Sequence, residues 1–152
     1  MQQARDIIAG TRKIVSPRGI DTMVKIPVNG TGQWLSIRGH DDRNPILLYI
    51  HGGPAAPEMP LAYTFQSPWE DYFTVVQWDQ RGSGKTYLAN DPQTIGPTLS
   101  IQQVTDDTTA VVQYLRNTYH KRKIFVLGHS RGAYRACAWL SRIPTGFTRT
   151  SA

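Results

Sequence analysis

Residues 123–140 read Lys123-Ile124-Phe125-Val126-Leu127-Gly128-His129-Ser130-Arg131-Gly132-Ala133-Tyr134-Arg135-Ala136-Cys137-Ala138-Trp139-Leu140. The apolar run Lys123 to Leu127 predicts a short buried strand that ends at Gly128, and the good helix formers from Ala133 to Leu140 predict a helix. Between them Gly128-His129-Ser130-Arg131-Gly132 matches G-x-S-x-G, the pattern of a serine pushed outward on a tight strand-to-helix turn. Glycine is needed on both sides, because side chains there would collide with the neighbouring strand and helix. The helix that starts near Arg131 aims free backbone N–H groups at any anion formed beside Ser130. The plainer alternative is an ordinary turn that happens to contain a serine.

Upstream, Ile46 to Ile50 is apolar without alternation, as expected of a strand buried on both faces of a mostly parallel sheet. His51-Gly52-Gly53-Pro54 follows it directly. Acyl transfer needs preorganised N–H donors for the developing oxyanion; glycines let the main chain approach a substrate carbonyl, and Pro54 stiffens the bend. The expected donors are the backbone N–H groups of Gly53 and Arg131. For His51 two readings stand, a structural hydrogen bond to loop backbone or a proton carrier.

The stretch Gln77 to Thr86 follows the strand Phe73 to Trp78, and its end, Gly82-Ser83-Gly84-Lys85-Thr86, is similar to the close of a phosphate-binding loop. That pattern requires glycine where Asp79 stands, and a carboxylate there would repel the phosphates. Asp79 and Arg81 are expected to pair or cap within this turn. A long connection is expected from Asp79 to Leu99. Capped by Ser100 or Thr98, a helix should then carry Ile101, Val104, Thr108, Val111, Val112, Leu115 and Tyr119 on one stripe. At the start, Ile20 to Val28 and Gln33 to Arg38 predict a hairpin turning at Asn29-Gly30-Thr31-Gly32. The order implies an α/β fold, with an antiparallel N-terminal hairpin followed by a mostly parallel sheet and flanking helices.

Taken together, His-Gly-Gly-Pro after one strand, Asp-Gln-Arg-Gly after the next and G-x-S-x-G after the third resemble the prolyl aminopeptidase (proline iminopeptidase) branch of the α/β-hydrolases, from about Ile20 to Gly132. The resemblance implies Ser130 as nucleophile, Gly53 and Arg131 as oxyanion hole, His51, Gly52 and Pro54 as site loop, and Gly128, His129 and Gly132 as nucleophile elbow. It implies no cofactor and no metal. The substrate this resemblance implies is a small peptide, with release of N-terminal residues, or a simple ester. Two features depart from the branch, Ala55-Ala56 where further glycines are usual and Arg131 where a tryptophan is usual.

In this fold the triad acid and histidine follow the serine. From Arg131 to Ala152 the sequence has no Asp, Glu or His. His40, His51, His120 and His129 all precede Ser130; His129 should point away from it, and His120 should lie at the far end of the sheet. The expectation is therefore a truncated α/β-hydrolase domain over 20–141, with an extension over 1–19 and an irregular tail over 142–152, catalytically incomplete on its own. The resemblance implies further strands, and without them a bare sheet edge should self-associate or recruit a partner.

Net charge is +6, but the basic residues are scattered, which favours a solvated face over a nucleic-acid surface. A single cysteine, Cys137, excludes an internal disulfide and a multi-thiolate metal site. Neither a signal-peptide core nor a membrane span is legible, so the reading is cytoplasmic with export left open.

Overall fold

The computed structural model describes residues 2–53 and 55–142; Met1, Pro54 and residues 143–152 lie outside it. A short helix, α1 (Gln2–Thr11), precedes the hairpin of β1 (Ile20–Val28) and β2 (Thr31–Gly39). The turn is tighter than the sequence implies. Asn29 and Gly30 both take positive φ, at 42° and 81°, and Thr31 and Gly32 already belong to β2. Two consecutive left-handed residues twist the chain in the sense its strands need, and Asn-Gly is the pair best able to do so.

Strand β3 (Ile46–Ile50) leads through two short 3-10 turns, Met59–Thr64 and Ser67–Trp69, to β4 (Thr74–Asp79), one residue later than Phe73 to Trp78 predicted. The expected irregular connection after β4 holds two short helices, α2 (Gly84–Leu88) and α3 (Pro92–Ile95). The long α4 (Ile101–Thr118), edge strand β5 (Phe125–Gly128) and α5 (Arg131–Arg142) complete the chain order. Arg142, assigned to the tail from the sequence, closes α5.

The five strands form one sheet in the order β1-β2-β4-β3-β5. The β1–β2 and β2–β4 pairs are antiparallel, and β3 runs parallel to both β4 and β5. Every residue of β3 and β4 is buried, so these strands hold the core. Their carboxyl ends, with that of β5, define the edge at which ligands sit in parallel α/β sheets. At the open side β5 leaves Phe125 and Leu127 exposed.

Ser100 caps α4, its Oγ accepting from the N–H of Gln103 at 3.0 Å. Val104, Thr108, Val111, Val112 and Leu115 are buried as the stripe predicts. Ile101, expected on the same stripe, is 54% exposed and lines the cleft beside the loop after β3. Helix α5 buries Gly132, Ala136 and Trp139 at four- and three-residue steps, and the Trp139 indole N–H reaches Thr109 Oγ1 on α4 at 3.0 Å.

Candidate active site

Ser130 sits between β5 and α5 with φ of 55°, a left-handed backbone that a non-glycine residue enters only at a cost in energy. The glycines around it are explained by contact. A Cβ at Gly128 would lie 2.5 Å from the carbonyl oxygen of Gly132 and 2.6 Å from Ala133, inside α5. At Gly132 a Cβ would come within 2.0 Å of the Ile50 carbonyl at the end of β3. Helix and strands thus meet backbone to backbone. Ser130 itself is exposed at the top of this junction.

The loop after β3 comes to the same place. A Cβ at Gly52 would be 2.8 Å from Ser130 Cβ and 3.3 Å from its Oγ, so this glycine lets the loop pass directly beside Ser130. Gly53 follows with φ of 79°. Among the described residues the Gly53 and Arg131 N–H groups have no acceptor, while Gly132 and Ala133 donate back to His129 and Ser130 at 2.8 and 3.0 Å. Pro54, expected to stiffen this bend, lies outside the described residues.

His51 holds the loop from beneath and does not reach Ser130. Its Nδ1 lies 2.9 Å from the Gly52 carbonyl, which can only accept, so the proton belongs on Nδ1. Nε2 is then the acceptor, facing Ser83 Oγ at 3.0 Å and the Gln80 N–H at 3.4 Å. Burial holds its pKa below that of a free imidazole, despite the opposing bond to Gly52. A neutral imidazole with both nitrogens engaged is a brace between the β3 loop and the turn after β4.

His129 turns from Ser130 toward Glu58, with Nδ1 2.6 Å from Oε1. The other Glu58 oxygen accepts from the Tyr49 hydroxyl at 2.5 Å, and burial together with that carboxylate pushes the Tyr49 pKa up. Glu58 therefore ties the end of the site loop to the elbow. Among the described residues, no imidazole nitrogen and no carboxylate bonds Ser130 Oγ. His120, beyond the C-terminal end of α4, lies before β5 and so at the opposite end of that strand from Ser130.

Of the two roles expected in this turn, pairing with each other or capping, Asp79 takes the cap and Arg81 takes neither. Asp79 Oδ2 accepts from the Lys85 N–H at 2.7 Å, and a Cβ at Gly84 would lie 2.2 Å from the same oxygen. The phosphate-like loop is thus wrapped around its own buried carboxylate. Arg81 reaches α4 instead, where Nε bonds Asp107 Oδ2 at 2.8 Å and a terminal nitrogen bonds Oδ1 at 3.1 Å. Asn29, Gln33 and Gln103 also donate to Asp107, at 2.8 to 2.9 Å. Asp107 is fully buried, and the sequence reading missed it. Its signal was position: three residues after Val104 and four before Val111, a carboxylate on that stripe demands a cation.

Beside the site loop lies a cavity of about 200 Å³ whose lining includes His51, Ala55, Gln80, Leu99, Ser100 and Arg135. Arg135 donates to Gln80 Oε1 at 2.6 Å, and burial with the neighbouring Arg131 lowers its pKa. Among the described residues, no group of three or more His, Cys, Asp or Glu side chains is placed to hold a metal ion. No helix among them is long and apolar enough to cross a membrane.

A positive-φ serine after a parallel strand, glycines where helix and strand touch, and a glycine loop beside the serine define the class: this is an α/β-hydrolase fold. The sequence profile of the family described as serine aminopeptidase, S33 matches residues 66–150, more than half of the chain, and the chain belongs to that family. It is 37% identical over 134 residues to a probable aminopeptidase, YbaC, of Bacillus subtilis (strain 168), a match covering 88% of this chain and 41% of that protein. Among solved structures it is similar to a proline iminopeptidase-related protein from Thermus thermophilus, with a TM-score of 0.64 and 27% identity, over 82% of this chain and 41% of that one. An epoxide hydrolase from Vigna radiata shares the fold, with a TM-score of 0.59 and 21% identity, over 82% of this chain and 36% of the other. The chain thus spans about two fifths of the length of these relatives.

Proposed function

We propose that these residues supply the nucleophile and oxyanion hole of a serine hydrolase that releases N-terminal residues from small peptides, in the manner of a proline iminopeptidase. The observation that carries the reading is Ser130, held at φ of 55° with Gly52 packed against it. Ser130 Oγ attacks the carbonyl carbon, its proton passes to a base, and the carbonyl oxygen takes up negative charge between the Gly53 and Arg131 N–H groups. Collapse expels the amine, which takes the proton, and water then releases the acyl group. The base and its acid partner are not among the described residues.

A second reading has a specific observation in its favour. Among the described residues no imidazole bonds Ser130 Oγ; on this reading the chain by itself is catalytically incomplete, its serine no more nucleophilic than a free hydroxyl. Hydrolysis of a proline arylamide and of a short p-nitrophenyl ester, with Ser130→Ala alongside, separates the two. Arylamide turnover that vanishes in the mutant supports the aminopeptidase reading, and ester turnover alone narrows it to an esterase. No turnover by either substrate supports the incomplete chain. Turnover unchanged in the mutant overturns Ser130 as nucleophile.

A further inference from the structure

The cavity beside the site loop has one-sided charge. Arg81 in its wall is neutralised by Asp107 at 2.8 Å. Glu58, the acid near the loop, is spent on His129 and Tyr49. Arg135 lines the cavity, and its guanidinium bonds the neutral Gln80 Oε1. Arg131, one helical turn earlier on α5, is exposed. Among the described residues neither Arg131 nor Arg135 makes an ion pair, and the first turn of α5 contains no acid.

Like charges four residues apart on a helix destabilise it, and a half-buried guanidinium without a counter-charge adds a desolvation cost. An arriving anion would relieve both. Guanidinium groups match a carboxylate in shape as well as charge, because their planar fork can bond both oxygens. The location fits a substrate group: His51 and Ala55 of the cavity wall belong to the loop that passes beside Ser130, and Arg131 adjoins the serine.

We propose that this cavity is a carboxylate-binding subsite, with Arg135 as the contact and Arg131, one helical turn before it on α5, adding its charge from outside the lining, so that the preferred substrates carry an anionic group close to the scissile bond. The anion is a peptide's C-terminal carboxylate or an acidic side chain. The proposal rests on the hydrolase reading for its role in catalysis and on the arginines and the cavity for the binding itself.

Calorimetric titration of the unmodified chain tests it with three small probes: N-acetylglycine, N-acetylglycinamide, and N-acetylglutamic acid α-amide. One of the two carboxylates should bind at least tenfold more tightly than the neutral amide, and which one identifies the source of the anion. Arg135→Gln should abolish the preference, Arg135→Lys should retain part of it, and Arg131→Gln, at an exposed position that does not threaten folding, should weaken it several-fold. Equal binding of the three probes, no binding of any, or a preference that survives in folded Arg135→Gln would overturn the proposal. Carboxylate binding without arylamide turnover leaves the subsite standing and removes the aminopeptidase reading; turnover without carboxylate preference does the reverse.

Discussion

The two sides of the sheet are built on opposite terms. On the hairpin side, buried polar groups are closed into a network in which Asp107 gathers Arg81, Asn29, Gln33 and Gln103, while the Trp78 indole donates to Gln33 at 2.8 Å. On the β5–α5 side, Phe125 and Leu127 are exposed, Ser130 is backbone-strained, and two arginines lack acids. One side secures the fold, and the other holds its strain where chemistry is proposed. Substitutions should therefore cost most on the first side and least at the edge of the second.

The largest effect is expected at Asp107→Ala, which leaves the Arg81 guanidinium buried without its partner. Urea unfolding should show a loss of about 3–5 kcal/mol, as for other broken buried pairs; a loss below about 1 kcal/mol would mean the network does not anchor the hairpin. Next comes Gly132→Ala, whose added methyl would meet the Ile50 carbonyl at 2.0 Å. Overpacking against backbone at this junction should cost about 3 kcal/mol in the same assay.

The brace at His51 predicts a pH dependence. Burial lowers its folded-state pKa below the 6.5 of the free group, so as pH falls through 6.5 the unfolded chain binds a proton that the folded chain resists. The stabilisation is complete above that pH and is lost progressively below it, toward the folded-state pKa. Unfolding midpoints from pH 8 to 5 should decline in the native protein and decline less in His51→Gln. Smallest is Leu127→Lys at the open edge, expected to shift stability by no more than about 0.5 kcal/mol. Sedimentation velocity should show it lowering any self-association through that edge.

How far the sequence could be read follows the same division. The elbow and site loop were legible because close backbone approach leaves glycine as the sole solution, and Gly52, Gly128 and Gly132 each touch another element's atoms. The Asp107 network was not, since Asp106-Asp107 looks like solvated helix charge until the burial of the stripe is known. Helices α2 and α3, of five and four residues, are too short to show a period. The clamp from Glu58 to His129 joins residues 71 apart, and no local pattern announces such a contact. Ile101 was misplaced because periodicity fixes a face of α4 and not how far along the helix that face is covered.

Ser130 is held in a left-handed conformation at φ of 55°, and Ser130→Gly measures the cost of that directly. Glycine adopts this conformation without the Cβ clash, which is worth about 1–2 kcal/mol, and gives back part of the gain in chain entropy. The substitution should raise unfolding stability by roughly 0.5–1 kcal/mol, whereas Ala133→Gly, in the right-handed helix that follows, should lower it by about 1 kcal/mol. A loss of stability in Ser130→Gly comparable to that of Ala133→Gly would contradict the elbow, and with it the proposed placement of the nucleophile.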